Sequence, residues 1–596
     1  MSEKHTPHID DGQQPVIRAE ETPRGIDTSL PADEFMAQVR AMRAQVTTAA
    51  EAEEQASAER QKILDQERAA KAAAGKPQRN PRDIEVEERQ RFVESCAKAL
   101  EKGDGLLFNE VNKGRLLYVP EFDSWFSWAT HYWKHIWPYE AQQFVENVAQ
   151  AYTEAANRLR PRVAEAQENG EEKKQKGLES IIKGLRARTS RLHEMKGINA
   201  CMKAALSNET RLTAPSSSLD CDDFALVTDT GVVDIRTGIE RKGRPQDHFT
   251  RHCSVPWQGI DAPCPKWEKM LFEILGEDPE LLHYMHKLLG MAICGDTSEK
   301  IFVVLLGAEG DSGKTTIFEI LYSILTGHSG SSETGYAAPM PVELLLDQGK
   351  VQNPNAPTPV VLELRGQRIC WASEPGEGTR FSVDKVKLMS GDDSLVGRSP
   401  YDKSNTKFRP THTLFLLTNH KMKASANDSA FWKRIKLINC PFSFVSHPDP
   451  NNPNERLVNK NLKREILAEE GSGVLAWLVR GYQLYSIEGL PTPESVKRAT
   501  AEYRREEDIV LQFMDACLEP DEFGTVRIPG AQLYAVFRAW FEDAMSRKGC
   551  PSITTFGKLA ARSIPKDRKG GKVIYTGYCF NDYALKNYPQ ETKNDD

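Results

Sequence analysis

The residues best suited to chemistry lie in IFVVLLGAEGDSGKTTIFEILYSIL (301–325), where an apolar run, a glycine-rich turn and an amphipathic stretch follow one another. Gly307, Gly310 and Gly313 let the backbone around Asp311 and Ser312 curl so that successive N–H groups face phosphate oxygens. The helix that begins there adds positive potential at its N-terminus. Lys314 has the charge and reach for β- and γ-phosphates, Thr315 offers a hydroxyl to Mg²⁺, and Thr316 continues the helix beside it. The strict spacing GxxxxGK[ST] asks for glycine at 308, where this chain has Ala308. With a buried strand before it and a helix after it, the segment reads as a site for ATP and Mg²⁺ despite that departure.

A phosphate loop does not say what its energy does, and three downstream segments bear on that. LRGQRICWASE (364–374) ends an apolar strand with Glu374, a carboxylate placed to hold Mg²⁺ and polarise water. A glutamate after a strand is also an ordinary surface residue. PTHTLFLLTNH (410–420) is a second buried strand, and the amide of Asn419 at its end suits a lytic water or a γ-phosphate. A strand-terminating turn would use the same residue. FWKRI (431–435) carries Lys433 and Arg434, and an arginine stabilises the charge that develops in phosphoryl transfer, although a surface arginine looks no different. No one of these segments is diagnostic by itself; their order and spacing are.

The elements around them follow from periodicity. Helical spacing in PKWEKMLFEILGEDPELLHYMHKLLGMAICGD (265–296) leads into the glycine-rich turn, and FALVTDTGVVDIRTG (224–238) has β-branched alternation punctuated by Gly231 and Gly238. Between 86 and 205 the composition predicts helices. Trp125, Trp128, Tyr132, Trp133 and Trp137, at three- and four-residue spacing, are expected on a helical core face in preference to a base-stacking surface. Residues 1–85 read as a tail with a solvated helix that lacks the apolar seam of a coiled coil. Beyond the prolines of LPTPESV (490–496), helices lead to a strand at KVIYTGYCF, which suggests a winged-helix module. Residues 545–572 hold eight Lys/Arg against the single acid Asp567, so Arg562, Lys566, Arg568 and Lys569 are expected to meet DNA phosphates. A solvated basic loop would have the same composition. The expected organisation is a tail (1–85), a mainly helical region (86–205), a strand-and-turn segment (206–264), an ATPase domain (265–490) and a C-terminal module (491–596).

A chain of 596 residues exceeds what one core supports, and 39% hydrophobic with 27% charged residues argues against a disordered or fibrous protein. No stretch approaches the apolar length of a membrane span, and MSEKHTPHIDDGQQPV lacks a basic-then-apolar signal pattern, so a cytoplasmic location is expected. Eleven cysteines without CxxC pairs read as reduced core thiols. The net charge of −7 neither implies nor excludes nucleic acid, because binding depends on where positive charge gathers.

Taken together, GDSGKTT (310–316), LRGQRICWASEPGEGTRF (364–381), KLMSGDDSLVGR (387–398), LFLLTNH (414–420), FWKRI and EEGSGVLAWLVRG (469–481) resemble the superfamily 3 helicases over residues 200–580. The resemblance is closer to the phage, plasmid and poxvirus primase-helicase branch. It implies an α/β fold: an AAA+-like P-loop ATPase core with helical N-terminal regions and a C-terminal winged-helix-like domain. It further implies a homo-hexameric ring that moves along single-stranded or forked DNA, with other replication proteins as further partners. Lys314 and Thr315 match Walker A, Glu374 matches Walker B, Asn419 matches motif C, and Arg434 matches an arginine finger supplied across a subunit interface. Many members carry two adjacent acids in Walker B, whereas Ser373 precedes Glu374 here. The family's channel hairpin falls on GRSPYDKSNTKFRP (397–410), where Arg398, Lys403 and Lys407 would follow a DNA backbone, with Lys403 among the turn residues Asp402, Ser404 and Asn405. ATP-dependent DNA unwinding in replication is the resulting expectation. Two alternatives stay open: a bifunctional primase-helicase, for which Asp220, Asp222 and Asp223 are the one carboxylate cluster, and an ATP-gated origin-binding scaffold that does not unwind.

Overall fold

The computed structural model describes residues 81–588 apart from 210, 308–310, 328–333, 350–357, 377, 399–404, 546–549 and 570. The expected tail up to residue 80, Ala308, Gly310, and Lys403 with Asp402 and Ser404 all lie outside the described residues.

The middle of the chain is a mixed α/β assembly around a five-stranded parallel sheet. Its strands are β1 (Phe302–Gly307), β2 (Ala337–Pro339), β3 (Ile369–Ser373), β4 (Thr413–Thr418) and β5 (Ile435–Cys440), in the spatial order β5-β1-β4-β3-β2. β1, β3 and β4 are near-continuous apolar runs because both faces are covered. Val303, Leu305, Trp371, Phe415 and Leu417 enter one core, with α1 (Lys314–Leu325) and the helices Pro265–Ile274, Pro279–Ala292 and Gly471–Glu488. Phe302, Val304, Cys370, Leu414 and Leu416 enter the other, with the helix Val383–Met389, α2 (Ser429–Arg434) and the helix Glu494–Glu506. Truncating a fully buried member such as Leu416 to alanine would cost about 2–5 kcal/mol. The register sets Leu305 beside Leu417 and Ile438, and Ser373 beside Leu417, so the C-terminal ends of β1, β3, β4 and β5 share one edge.

Ahead of this sheet, the helices Pro81–Lys98, Leu100–Val111, Glu146–Glu168, Glu172–Leu192 and Met195–Ser207 surround a core of their own. Inside it Arg188 is paired with Asp104, which also accepts the Tyr152 hydroxyl at 2.9 Å. The aromatic cluster departs from the helical expectation. Its residues lie on an antiparallel sheet of Leu116–Val119, Ser124–Ala129 and Tyr132–Ile136, with Trp137 directly after the last strand. Two short strands of period two, joined at Thr130 (φ +66°), reproduce helical spacing by accident, and Trp128 opposite Trp133 is a cross-strand pair. A second antiparallel meander follows, formed by Ala225–Val227, Val232–Asp234 and Ile239–Arg241.

The C-terminal region has helices Ile509–Cys517, Gly530–Ala544 and Ile553–Ala560, then a hairpin of Lys566–Lys569 and Lys572–Tyr575 whose second strand also pairs with Ile528–Pro529. Phe513, Phe537 and Phe556 centre its core, the last two stacked at 4.2 Å. Eight of the eleven cysteines are buried and all are free thiols. Among the described residues no helix is long and apolar enough to cross a membrane.

Candidate functional site

Leu306 pairs with Thr418, and Leu417 with Ser373, so Gly307, Asn419 and Glu374, each one residue further along, stand together on the carboxyl edge of the sheet. Gly313, directly before α1, has φ +76°, and a Cβ there would lie 2.7 Å from Cδ1 of Ile274, so conformation and space both require glycine. Lys314, the first residue of α1, is 6% exposed. Its ammonium donates to Ser312 Oγ at 2.5 Å and to Asn419 Oδ1 at 2.8 Å. Gly307 backs the lysine so closely that a Cβ would stand 1.9 Å from Nζ.

Burial pulls the Lys314 pKa below its ordinary value, with Cys440 and Glu374 opposing the shift. Both described hydrogen-bond partners of this ammonium are neutral, so its charge can serve an anion such as phosphate. Thr315 is exposed to the cleft and Thr316 half-buried, while the Asp311 carbonyl accepts the Phe444 N–H at 2.8 Å. Glu374 adopts φ +51° just after β3, held there by its N–H donating to the Leu417 carbonyl at 3.0 Å. A non-glycine residue at positive φ costs about 1–3 kcal/mol, and such strain gathers at functional positions.

These residues line a cleft of about 500 Å³. Its other wall was not legible from motifs: Met270 and Ile274 come from the helix before the sheet, and Phe444, Val458 and Leu462 from the segment after β5. Lys460 and Lys463 stand at the same wall, and Lys463 is paired with Glu319 of α1 at 2.8 Å. The wall's two sources are about 170–190 residues apart in sequence, so only their enclosure of one space reveals them. An apolar wall beside an electropositive turn suits a flat aromatic ring joined to phosphates.

Arg434 is elsewhere. It directly precedes Ile435, which pairs with Phe302 at the amino end of β1, so the length of the sheet, about 17 Å at 3.3 Å per residue, separates it from the glycine-rich turn. Its guanidinium donates to the Ser390 carbonyl at 2.9 Å. At the other end of α2, the Asp428 carboxylate accepts the Phe431 N–H at 2.9 Å and the Lys387 ammonium at 3.0 Å. The stretch between Asn419 and α2 is gripped by the helix Glu494–Glu506 and the residue after it. The Tyr503 hydroxyl donates to the Met422 carbonyl, Arg504 to the Ala426 carbonyl at 3.0 Å, and Lys421 to Glu506 at 2.7 Å. The Ala424 N–H donates to Glu507 at 2.8 Å.

Of the residues expected on DNA, Lys407 is exposed within an antiparallel pair formed by Leu395–Gly397 and Thr406–Phe408, opposite Val396, and Arg398 directly follows the first strand. The tip with Lys403 lies outside the described residues. Lys566, Arg568 and Lys569 are exposed on one strand of the C-terminal hairpin. Arg562 instead donates to Asn427 Oδ1 at 2.7 Å, which places its guanidinium on the segment leading to α2.

A family model described as "D5 N terminal like" matches residues 105–276. The chain is 24% identical over 467 residues to L207/L206 of Acanthamoeba polyphaga mimivirus, a protein provisionally named a helicase, covering 76% of this chain and 46% of that one. It is 24% identical over 257 residues to 022R of Frog virus 3 (isolate Goorha), named in the same way, covering 41% of this chain and 25% of that protein. The chain thus spans less than half the length of these curated relatives. Among solved structures, the apo structure of NrS-1 C terminal region (305-718) aligns with 79% of this chain and 98% of its own at 11% identity, with a TM-score of 0.42.

Proposed function

Since the chain belongs to the superfamily 3 primase-helicase family, we propose that it is an ATP-dependent DNA helicase acting in phage-, plasmid- or virus-type replication. The observation that carries this reading is the buried Lys314 ammonium bonded to Asn419, on the same sheet edge as Glu374. A glycine-rich turn after β1, with functional residues following β3 and β4, supports an AAA+-like P-loop core. As ATP enters, Lys314 exchanges Asn419 for the β- and γ-phosphates, and the freed amide meets the γ-phosphate or the attacking water. Met270, Ile274, Phe444, Val458 and Leu462 form the wall for the base. Thr315 and Glu374, both lining the cleft, have the oxygen chemistry to hold Mg²⁺, which when bound spreads the phosphate charge. Glu374 also orients the water, since the preceding Ser373 offers no second carboxylate.

Arg434 serves the site of a neighbouring subunit in a homo-hexameric ring, in keeping with its place at the far end of its own sheet. Lys403 with Arg398 and Lys407 follows one DNA strand in the channel, and the C-terminal helices and basic hairpin act as a winged-helix-like DNA module. Strand separation on forked DNA with 3′ or 5′ tails, run with the wild type and Lys314→Ala, is the test. Unwinding by the wild type alone supports the motor; ATP hydrolysis without strand separation by the wild type overturns it.

A bifunctional primase-helicase is equally compatible with the relatives. The chain's carboxylate trio does not favour it. Asp220 accepts from the Thr250 N–H at 2.7 Å, Asp222 from the Phe224 N–H at 3.0 Å in a local turn, and Asp223 is paired with Arg409, so the three carboxylates serve three separate partners. Incorporation of labelled nucleotides on an unprimed template would bring that alternative back.

A further inference from the structure

We propose that Lys113, Arg115, Lys242 and Arg244 form a separate binding surface for single-stranded nucleic acid on the aromatic sheet of the N-terminal region. It stands apart from the ATP cleft and from the DNA contacts proposed above, and it does not depend on the ATPase reading. The surface starts from one row of side chains. The Arg115 carbonyl accepts the Trp128 N–H at 2.9 Å, and Trp128 is in register with Trp133 on the third strand, so these three residues share one face of the sheet. The Trp128 and Trp133 rings meet edge-on at 5.3 Å.

The second basic segment is fastened over that row. The Trp133 indole N–H donates to the Pro245 carbonyl at 2.8 Å, and the Gly243 N–H donates to Nδ1 of His131 at 3.2 Å. A Cβ on Gly243 would stand 2.6 Å from the His131 Cα, so only glycine lets the backbone between Lys242 and Arg244 approach this closely. A Cβ on Gly114 would lie 3.8 Å from Cγ of Pro245, which brings the Lys113–Arg115 turn against the same loop. Two segments about 130 residues apart thus deliver four exposed cations to one place.

Among the described residues none of the four has an ion-pair partner. The nearest acid on the loop, Asp247, is engaged by Arg241 at 2.6 Å and by the Arg244 N–H at 2.9 Å. In a chain of net charge −7 this local excess of positive charge suits an anionic partner. Aromatic surface favours unpaired nucleotides over an acidic protein. Trp128 is half-buried with part of its ring open, and Trp137, 60% exposed, lies 5.7 Å from His135 on the same sheet. Trp128 stands in the row of Arg115, and Trp137 follows four residues beyond Trp133, directly after the third strand, so cations and aromatic rings are spread over one sheet as a single strand requires, with its phosphate backbone and bases free to stack.

The test measures binding of a labelled 20-nucleotide single strand to the full chain across a salt series. It compares the wild type with the quadruple variant Lys113→Ala, Arg115→Ala, Lys242→Ala, Arg244→Ala. Each lost phosphate contact lowers the slope of log K against log salt by about 0.7, so a drop of about 3 is expected, with at least a ten-fold loss of affinity at low salt. Arg115→Lys with Arg244→Lys should keep the slope, and Trp137→Ala should weaken binding with the slope unchanged. Thermal melts of the same variants report whether the fold is intact. Should the quadruple variant not fold, ultraviolet crosslinking of the wild type decides, with adducts expected in the peptides around Trp128 and Trp137. Wild-type affinity and slope in the quadruple variant, or adducts confined to other regions, would overturn the proposal. So would a loss seen only with duplex, or only with an acidic peptide.

Discussion

The ammonium of Lys314 and the side-chain oxygen of Asn419 are 2.8 Å apart, which joins the first turn of α1 to the end of β4. Asn419 therefore holds the lysine in place without neutralising it. On the proposed reading, Asn419→Ala should leave ATP affinity within about three-fold and slow turnover by about two orders of magnitude, since the amide proposed to orient water is lost and the cation kept. Asn419→Asp should be the worse binder of the two, because a carboxylate at that place pairs with Lys314 and competes with phosphate. Equilibrium nucleotide titration ranks the two variants, and equal affinities would count against this role.

Gly307 tests whether the missing glycine at 308 matters. A methyl group at 307 would meet Lys314 Nζ at 1.9 Å and Ser312 Oγ at 2.2 Å, and both are mobile ends of side chains. Gly307→Ala should therefore fold with little loss of stability while ATP affinity drops at least ten-fold. A melt and a nucleotide titration separate the two effects.

Glu374 carries its own signature in the backbone. Its φ of +51° suits glycine, so Glu374→Gly should raise stability by about 0.5–1 kcal/mol while abolishing hydrolysis. Denaturant unfolding beside an ATPase assay would show the opposed changes. A residue kept for structure alone would lose stability on the same substitution.

The separation of Arg434 from Lys314 predicts complementation between subunits. If Arg434 completes a neighbouring subunit's site as proposed, Arg434→Ala and Lys314→Ala should each be inactive alone, and mixed assemblies should regain part of the ATPase activity, because an intact lysine site would then face an intact arginine. Mixed assemblies with no recovery, shown to be mixed by native mass spectrometry, would remove the trans role.

Two histidines set an acid limit on stability. Burial pushes both His286, stacked on Trp477 at 3.9 Å, and His412, 1% exposed, down to about 4 from 6.5. The folded chain holds them neutral, so their contribution is complete above pH 6.5 and is lost as pH falls from there toward 4. At about 1.4 kcal/mol per unit the loss approaches about 3 kcal/mol for each. Unfolding curves at pH 7.5, 6 and 5 should show the decline, and His412→Gln should flatten it.

The local parts of the cleft were legible in the sequence because each is a short apolar strand with a polar residue at its end, and a strand buried on both faces leaves a continuous run of Val, Ile, Leu and Phe. Phe302–Gly307 and Thr413–Thr418 are of this kind. The aromatic sheet was not legible, because Trp125, Trp128, Tyr132 and Trp133 satisfy helical spacing while standing on paired strands. The apolar wall of Met270, Ile274, Phe444, Val458 and Leu462 has no motif, only a shared space. Composition grouped Arg562 with the basic hairpin, yet its partner is Asn427 in a different region, a contact that depends on packing and leaves no trace in local sequence.

The grip of the helix Glu494–Glu506 on the stretch after Asn419 has a mechanical consequence. That stretch is the covalent path from the residue touching Lys314 to the helix bearing Arg434, and Tyr503, Arg504 and Glu507 hold it midway. A rod pinned at its middle converts a push at one end into a swing at the other. On the proposed reading, departure of the γ-phosphate from one site would tilt the arginine offered to the next, with the helix Glu494–Glu506 as fulcrum, so that neighbouring sites fire in turn and not together.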